Sequence, residues 1–390
     1  MLEIESLDHS FRGITKLNGK IVFVNNALPK ELVEIKIEKE KKKYIEASVC
    51  KYIKTSNERI VPKCKYFGIC GGCDIMHLDY KDQLKYKEEK ISNILTKYLN
   101  KPVKINNIVY DCDINYRNKV KFQINKKVGL YKNESYEVIP IDKCLIANET
   151  INKSIKYLNK LDLEYINNIT CRAIKDKLMI SINSIKDIDI KPIIKIADSI
   201  YINNKNVYGD KKLVEKLGNY NFVISSDSFF QINKNICVKL YDKIKQYVGS
   251  NKNVLDLYCG CGSIGIYINK ENNVLGIEIN ESAVNDALEN KNLNNLNNVG
   301  FICADSSIKT NIKPDIIIVD PPRSGLNKKT ITKLIDLKPQ KIIYVSCNPM
   351  TLARDLNLLD SYDIIELTPY DMFPNTKHIE CLCLLKLKKM

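Results

Sequence analysis

The sequence predicts an α/β protein built on a doubly wound parallel sheet, preceded by a small all-β module and a mixed, cysteine-bearing region. Three observations carry that expectation. From about residue 221 onward, strand-like runs at 254–258, 274–278, 301–303, 316–319 and 342–345 alternate with helical ones, the rhythm of βαβ units. Residues 1–54 read instead as short strands parted by turn signals. At 390 residues the chain is too long for one ordinary core, so two or three domains are expected.

The elements follow in order. In residues 1–54, the β-rich segments 20–24, 32–37 and 45–49 are separated by Asn25-Asn26 and Leu28-Pro29, which suits a five-stranded, OB-like β-barrel. The run 39–43 is a lysine-rich hairpin tip, solvated or in reach of phosphate. Residues 55–220 form the expected central domain. It opens on a knot between Cys64 and Cys73 and continues into a helix over 80–99, with Leu84, Ile91, Ile94 and Leu95 at helical spacing. That helix is expected to be able to pack on the C-terminal domain. Residues 101–220 read as mixed and strand-rich. Residues 221–390 form the sheet domain.

Composition narrows the class. Apolar residues make up 44% of the chain, as in a globular protein. Lys and Arg number 61 against 46 Asp and Glu, a formal charge of +15 that favours a polyanionic partner. Residues 1–30 lack the apolar core of a signal peptide. No run approaches the roughly 20 apolar residues that cross a bilayer. A cytoplasmic protein without membrane contact is expected, and there the 14 cysteines are metal ligands, a nucleophile and buried residues rather than disulfides.

Two clusters of chemistry sit at the carboxyl ends of the predicted strands, where doubly wound sheets bind ligands. The first is Gly260-Cys261-Gly262-Ser263-Ile264-Gly265, a G-x-G-x-x-G turn between strand and helix. Gly260 and Gly262 allow the tight turn and close approach of a ligand. Glu278 ends the next strand, where a carboxylate accepts from ribose hydroxyls. Alone, this turn fits NAD, FAD and S-adenosylmethionine alike. The second cluster is Asp320-Pro321-Pro322-Arg323 with Ser346-Cys347-Asn348-Pro349. Asn348 suits an N-cap and Pro349 the first position of a helix over 350–358. The helix dipole is therefore expected to lower the Cys347 pKa and favour a nucleophilic thiolate. Cys237 and Cys303 read as buried apolar residues. Glu380 opens a strand over 379–387; if that strand runs antiparallel, Glu380 starts beside Cys347 as a base. Cys381 and Cys383 then share the opposite face, in the core. His9, His77 and His378 receive no catalytic role.

Taken together, these motifs resemble the bacterial RNA (uracil-5-)methyltransferases, specifically their iron–sulfur-containing 23S ribosomal RNA branch. The resemblance spans nearly the whole chain. It rests on Asp227-Ser228-Phe229-Phe230-Gln231-Ile232-Asn233, Asp256-Leu257-Tyr258-Cys259-Gly260, the Asp320 and Cys347 motifs and His378-Ile379-Glu380. It implies a class I, Rossmann-like methyltransferase domain, an N-terminal TRAM module that binds RNA, and S-adenosylmethionine as methyl donor. Cys347 would be the nucleophile and Glu380 the proton acceptor. Gln231, Tyr258, Glu278 and Asp320 would line the donor and uracil site, with Asp305 near the adenine. Lys30-Glu31 stands where the module usually has Gly-Glu, and Met76 where Gln is common.

The chemistry agrees with those roles. C5 of uracil is a poor nucleophile, and a thiolate adding to C6 makes it an enolate-like carbon that can take a methyl group. A base must then remove the C5 proton. Cys64, Cys70 and Cys73 supply three clustered thiolates, and by resemblance Cys144 is the fourth. Four thiolates suit a [4Fe–4S] cluster or structural zinc. The implied partner is ribosomal RNA, bound by a monomer with no protein partner. Three rival readings stand beside it. The transfer RNA branch generally lacks both the barrel and the cysteine triplet. A cytosine-C5 methyltransferase typically pairs two functional cysteines. A non-catalytic ribosome-assembly factor would need neither Cys347 nor Glu380.

Overall fold

The computed structural model describes residues 1–226 and 230–389. The N-terminal sheet has six strands, in the order Leu2–Glu3, Leu32–Glu40, Tyr44–Lys54, Lys20–Asn25, Gly13–Leu17, Ser6–Leu7. Five were expected; Leu2–Glu3 and Ser6–Leu7 are only two residues long, too short to show an alternating pattern. Val22, Val24, Val33, Ile45 and Ala47 fill the inside of this sheet. Lys30 has φ 69°, a left-handed conformation that explains why glycine is usual there. The neighbouring Glu31 is fully buried and ion-paired with Arg59 at 2.5 Å.

The central region is a seven-stranded sheet, Lys205–Gly209, Ser199–Ile202, Lys177–Ser184, Ile166–Ile174, Lys119–Asn125, Lys127–Tyr131, Val138–Pro140. The helix Glu149–Leu158, capped by Asn148, buries Ile151, Ile155 and Leu158 against it. The hairpin of Leu213–Leu217 and Tyr220–Ile224 belongs to a different core, shared with the helix Lys234–Val248.

The C-terminal sheet also has seven strands, Val299–Cys303, Asn273–Glu278, Asn253–Leu257, Ile316–Val319, Lys341–Ser346, Glu380–Leu387, Tyr362–Tyr370. The first five are parallel. Strand order reverses between Asn253–Leu257 and Ile316–Val319, which opens a crevice at their carboxyl ends. Ile316–Val319 is buried throughout, as a strand covered on both faces should be. The helix Tyr80–Tyr98 covers one face: Leu84, Ile91 and Leu95 pack in one core with Leu352 and Leu356 of the helix Pro349–Leu358 and with Ile317 of the sheet.

Cys381 and Cys383 are buried in this core and Cys237 in the neighbouring one, as expected. Cys303 is not; it lies on the edge strand and is exposed, because burial there depends on a neighbour strand that the sheet does not have. Among the described residues no helix is long and apolar enough to cross a membrane.

Candidate active site and cysteine cavity

The chain turns sharply after Asn253–Leu257. Tyr258, Gly260 and Gly262 all have positive φ, at 64°, 53° and 77°. A Cβ on Gly262 would lie 2.4 Å from the Phe301 ring, so only glycine fits there. The Gly260 N–H donates to Glu278 Oε2 at 3.1 Å and the Asn280 N–H to Oε1 at 2.9 Å, which fixes that carboxylate at the end of its strand. The Tyr258 hydroxyl is held by Ser306 at 3.0 Å and Thr330 at 3.2 Å. Asp305 is exposed one strand further out, and the Ser307 hydroxyl lowers its pKa. Gln231 is half-buried, its main-chain carbonyl accepting from Asn118 Nδ2 at 3.1 Å. Asp227, Ser228 and Phe229 of its motif lie outside the described residues.

Asp256 belongs to one of the motifs that carry the resemblance, but sequence reasoning assigned it no role of its own. It is fully buried, Oδ2 accepts from the Gly265 N–H at 3.1 Å, and Oδ1 has no partner among the described residues. Burial, and then the nearby Asp320, push its pKa up to about 8. The signal was present: one carboxylate inside the apolar run 254–257, between Leu255 and Leu257.

The reaction edge lies beside this turn. Ser346 pairs with Cys381 in an antiparallel register, so the next step sets Cys347 opposite Glu380. Glu380 is 4% exposed; burial, and then Asp320, push its carboxyl far above the usual range, with Arg323 opposing. Part of Asp320 reaches solvent, yet its carboxyl is crowded by protein, and burial pushes it up to about 7. Two such neighbours resist ionising together. Asn348 caps the helix Pro349–Leu358 as expected, accepting from the Met350 N–H at 3.1 Å.

The Cys347 thiol, however, is pushed up rather than down. Burial and Glu380 outweigh Arg323. The expectation from the helix terminus counted one favourable charge and missed two carboxylates from distant strands. Arg323 joins both motifs: its carbonyl accepts from Asn348 Nδ2 at 3.1 Å, and its guanidinium lies 3.3 Å from His378 Nδ1. Burial, and then Arg323, lower the His378 pKa to about 4. Cys347 opens into a cavity of about 190 Å³ lined also by Lys90, Arg323, His378 and, from the turn between Ser6–Leu7 and Gly13–Leu17, His9.

Cys64, Cys70, Cys73 and Cys144 all line a second cavity, of about 570 Å³. Burial raises Cys70, Cys73 and Cys144, and nearby thiols add to this in each. The raised thiols of Cys70, Cys73 and Cys144 need a positively charged group to hold them as thiolates, and in that respect they fit a metal-bearing one. Among the described residues, no three His, Cys, Asp or Glu side chains converge tightly enough to hold a single metal ion.

Comparisons with known proteins agree with this architecture. The profile of the tRNA (uracil-5-)-methyltransferase family matches residues 153–388, and that of the TRAM domain residues 2–50. An uncharacterised RNA methyltransferase of Aquifex aeolicus is 35% identical over 99% of this chain and 98% of its own. Another, of Caldanaerobacter subterraneus subsp. tengcongensis, is 33% identical over 99% and 97%. The crystal structure of Pyrococcus abyssi tRNA (uracil-54, C5)-methyltransferase in complex with S-adenosyl-L-homocysteine superimposes with a TM-score of 0.82. It is 28% identical and covers 99% of this chain and 100% of that one.

Proposed function

Because the chain belongs to the tRNA (uracil-5-)-methyltransferase family and carries a TRAM domain, it is an S-adenosylmethionine-dependent RNA (uracil-5-)-methyltransferase; we propose that it methylates a uridine of 23S ribosomal RNA, with Cys347 as nucleophile and Glu380 as base. The observation that carries the assignment of roles is the strand register, which sets the Cys347 thiol opposite a buried carboxylate beside the glycine turn.

The target base leaves its stack to reach this edge. The Cys347 thiolate adds to C6 and C5 becomes nucleophilic. C5 takes the methyl group from the donor sulfonium, and S-adenosylhomocysteine is the leaving group. Glu380 accepts the C5 proton, and the C6–sulfur bond breaks to release 5-methyluridine and the free thiolate. In its ionised form, which the positive charge of bound donor favours, Glu380 is a stronger base than an exposed carboxylate, because burial raises its pKa. Arg323 opposes the two carboxylates at Cys347, and the positive charge of bound donor further favours the thiolate. Gln231, Tyr258, Gly260, Gly262, Glu278, Asp305 and Asp320 are the residues read as lining the donor site.

A [4Fe–4S] cluster is our reading of the cysteine cavity, held by Cys64, Cys70, Cys73 and Cys144. Four cysteines lining one cavity support a group that takes four thiolates. Its role there is to order the loop that bears three of them. A cytoplasmic monomer acting on RNA is the matching expectation.

A transfer RNA substrate is the second reading. The Pyrococcus abyssi enzyme, named for transfer RNA, aligns across the barrel as well as the sheet domain, so a barrel does not separate the two substrates. Nucleoside mass spectrometry decides between them, after incubation of unmodified 23S ribosomal RNA and transfer RNA with donor and oxygen-free protein. New 5-methyluridine in ribosomal RNA alone supports the proposal; in transfer RNA alone it overturns it. Cys347→Ala should abolish methylation with donor binding retained, and Glu380→Gln should accumulate a covalent protein–RNA adduct.

A further inference from the structure

The residues that lead into Glu380 are anchored from the other half of the chain. Residues 371–379 join Tyr362–Tyr370 to Glu380–Leu387, and they are bonded to residues 74–116. Asn375 is the hub; it is 1% exposed and left-handed at φ 64°. Its carbonyl accepts from the Asp74 N–H at 2.9 Å and the Ile75 N–H at 3.2 Å. Its side-chain oxygen accepts from Gln83 Nε2 at 3.1 Å, and its own N–H donates to Gln83 Oε1 at 3.1 Å. Two residues on, the Lys377 N–H donates to Asp74 Oδ2 at 3.1 Å, and its ammonium meets Asp74 Oδ1 at 3.2 Å. Asp74 directly follows Cys73, which lines the cysteine cavity.

We propose that Asp74 and Gln83 are positioning residues for the reaction: through Asn375 and Lys377 they hold the segment that aims the Glu380 carboxylate, so that the Cys73 loop and the base move as one unit. The proposal rests on reading Glu380 as the proton acceptor. A base displaced by about 1 Å loses on the order of 10²-fold in rate. Because nucleophile and donor site lie on other elements, the fault falls on the last step. Cys347 still adds, the methyl group still transfers, and the C5 proton then stays, leaving RNA bonded to Cys347.

The test uses the full chain purified without oxygen. Asp74→Ala should lower turnover on the order of 10- to 100-fold, leave the dissociation constant for S-adenosylmethionine unchanged, and accumulate the covalent adduct seen on denaturing gels. Asp74→Asn keeps an acceptor for the Lys377 N–H and should restore turnover. Gln83→Leu removes both bonds to Asn375 and should repeat the adduct; if either variant fails to fold, the other carries the same readout. An adduct from Glu380→Gln but from neither of these variants overturns the proposal alone. No adduct from Glu380→Gln either overturns the base assignment and this proposal with it. Donor affinity falling in step with turnover assigns Asp74 a merely structural role and likewise overturns the proposal.

Discussion

Lys87→Met is the perturbation whose size is best set by the structure. Lys87 and Asp371 are both wholly buried, with Nζ 2.6 Å from Oδ1. Nζ also donates to the Phe373 carbonyl at 3.1 Å, and Tyr80 donates to Asp371 Oδ2 at 2.9 Å. Burial alone lowers the Lys87 pKa, and the carboxylate opposes it. Methionine keeps most of the apolar stem but leaves Asp371 with Tyr80 as its side-chain partner. Removing one member of a buried pair costs about 3–5 kcal/mol, because the other charge stays desolvated. The chain has several cores, so a local measurement suits it better than one global transition. Hydrogen exchange of amides in Glu380–Leu387 should speed up by about two to three and a half orders of magnitude, the same energy expressed as a ratio. Adding Asp371→Leu to Lys87→Met should recover most of that loss, since a buried pair replaced by apolar side chains is often neutral. A single variant whose protection falls by less than about fivefold, or roughly 1 kcal/mol, would refute the reasoning.

Two other outcomes are expected. Asp256, at about 8, and Asp320, at about 7, are raised above the unfolded range, so the folded site retains protons that the unfolded chain has lost. Stability from this source is therefore greatest below about pH 4 and declines as pH rises through 7 to 8, by about 1.4 kcal/mol per unit for each titrating group. Binding a sulfonium should expel such protons, so S-adenosylmethionine affinity should rise up to about tenfold per pH unit between about 6 and 8. S-adenosylhomocysteine should respond less steeply. Calorimetry in two buffers counts the protons, and equal, flat profiles would contradict the assignment. Gly262→Ala combines left-handed strain of about 1–2 kcal/mol with a Cβ 2.4 Å from Phe301. It should weaken donor binding by about tenfold or more and spare RNA binding; an unchanged donor dissociation constant would count against the glycine turn as the donor site.

The parallel sheet was legible because doubly covered strands are written as unbroken apolar runs; Ile316–Val319 was read to its exact bounds. The thiol and the carboxylate were legible because each follows or opens such a strand. What escaped detection depends on partners remote in the chain. Lys177–Ser184 pairs in parallel with Ser199–Ile202 inside an otherwise antiparallel sheet, and no local pattern encodes that choice. Cys303 is apolar-flanked in sequence yet exposed, since edge position is a property of the sheet. The Cys347 pKa was misjudged for the same reason: the burial that raises it, and then Glu380 and Asp320, come from separate strands. Nothing in the local sequence around Lys87 or Asp371 announces a pair 284 residues apart.

The insertion of Glu380–Leu387 between Lys341–Ser346 and Tyr362–Tyr370 has a consequence for synthesis. Translation produces both flanking strands before the one that joins them. Until Glu380–Leu387 leaves the ribosome, each flank presents an unpaired edge, a template for wrong pairing in a crowded cell. The nascent chain already carries Cys347 but not Glu380, and the gap in the sheet closes with the same residues that deliver that carboxylate. A prematurely released polypeptide is thus sticky and, on the proposed roles, unable to turn over, so one late zippering event would decide both quality control and catalytic competence.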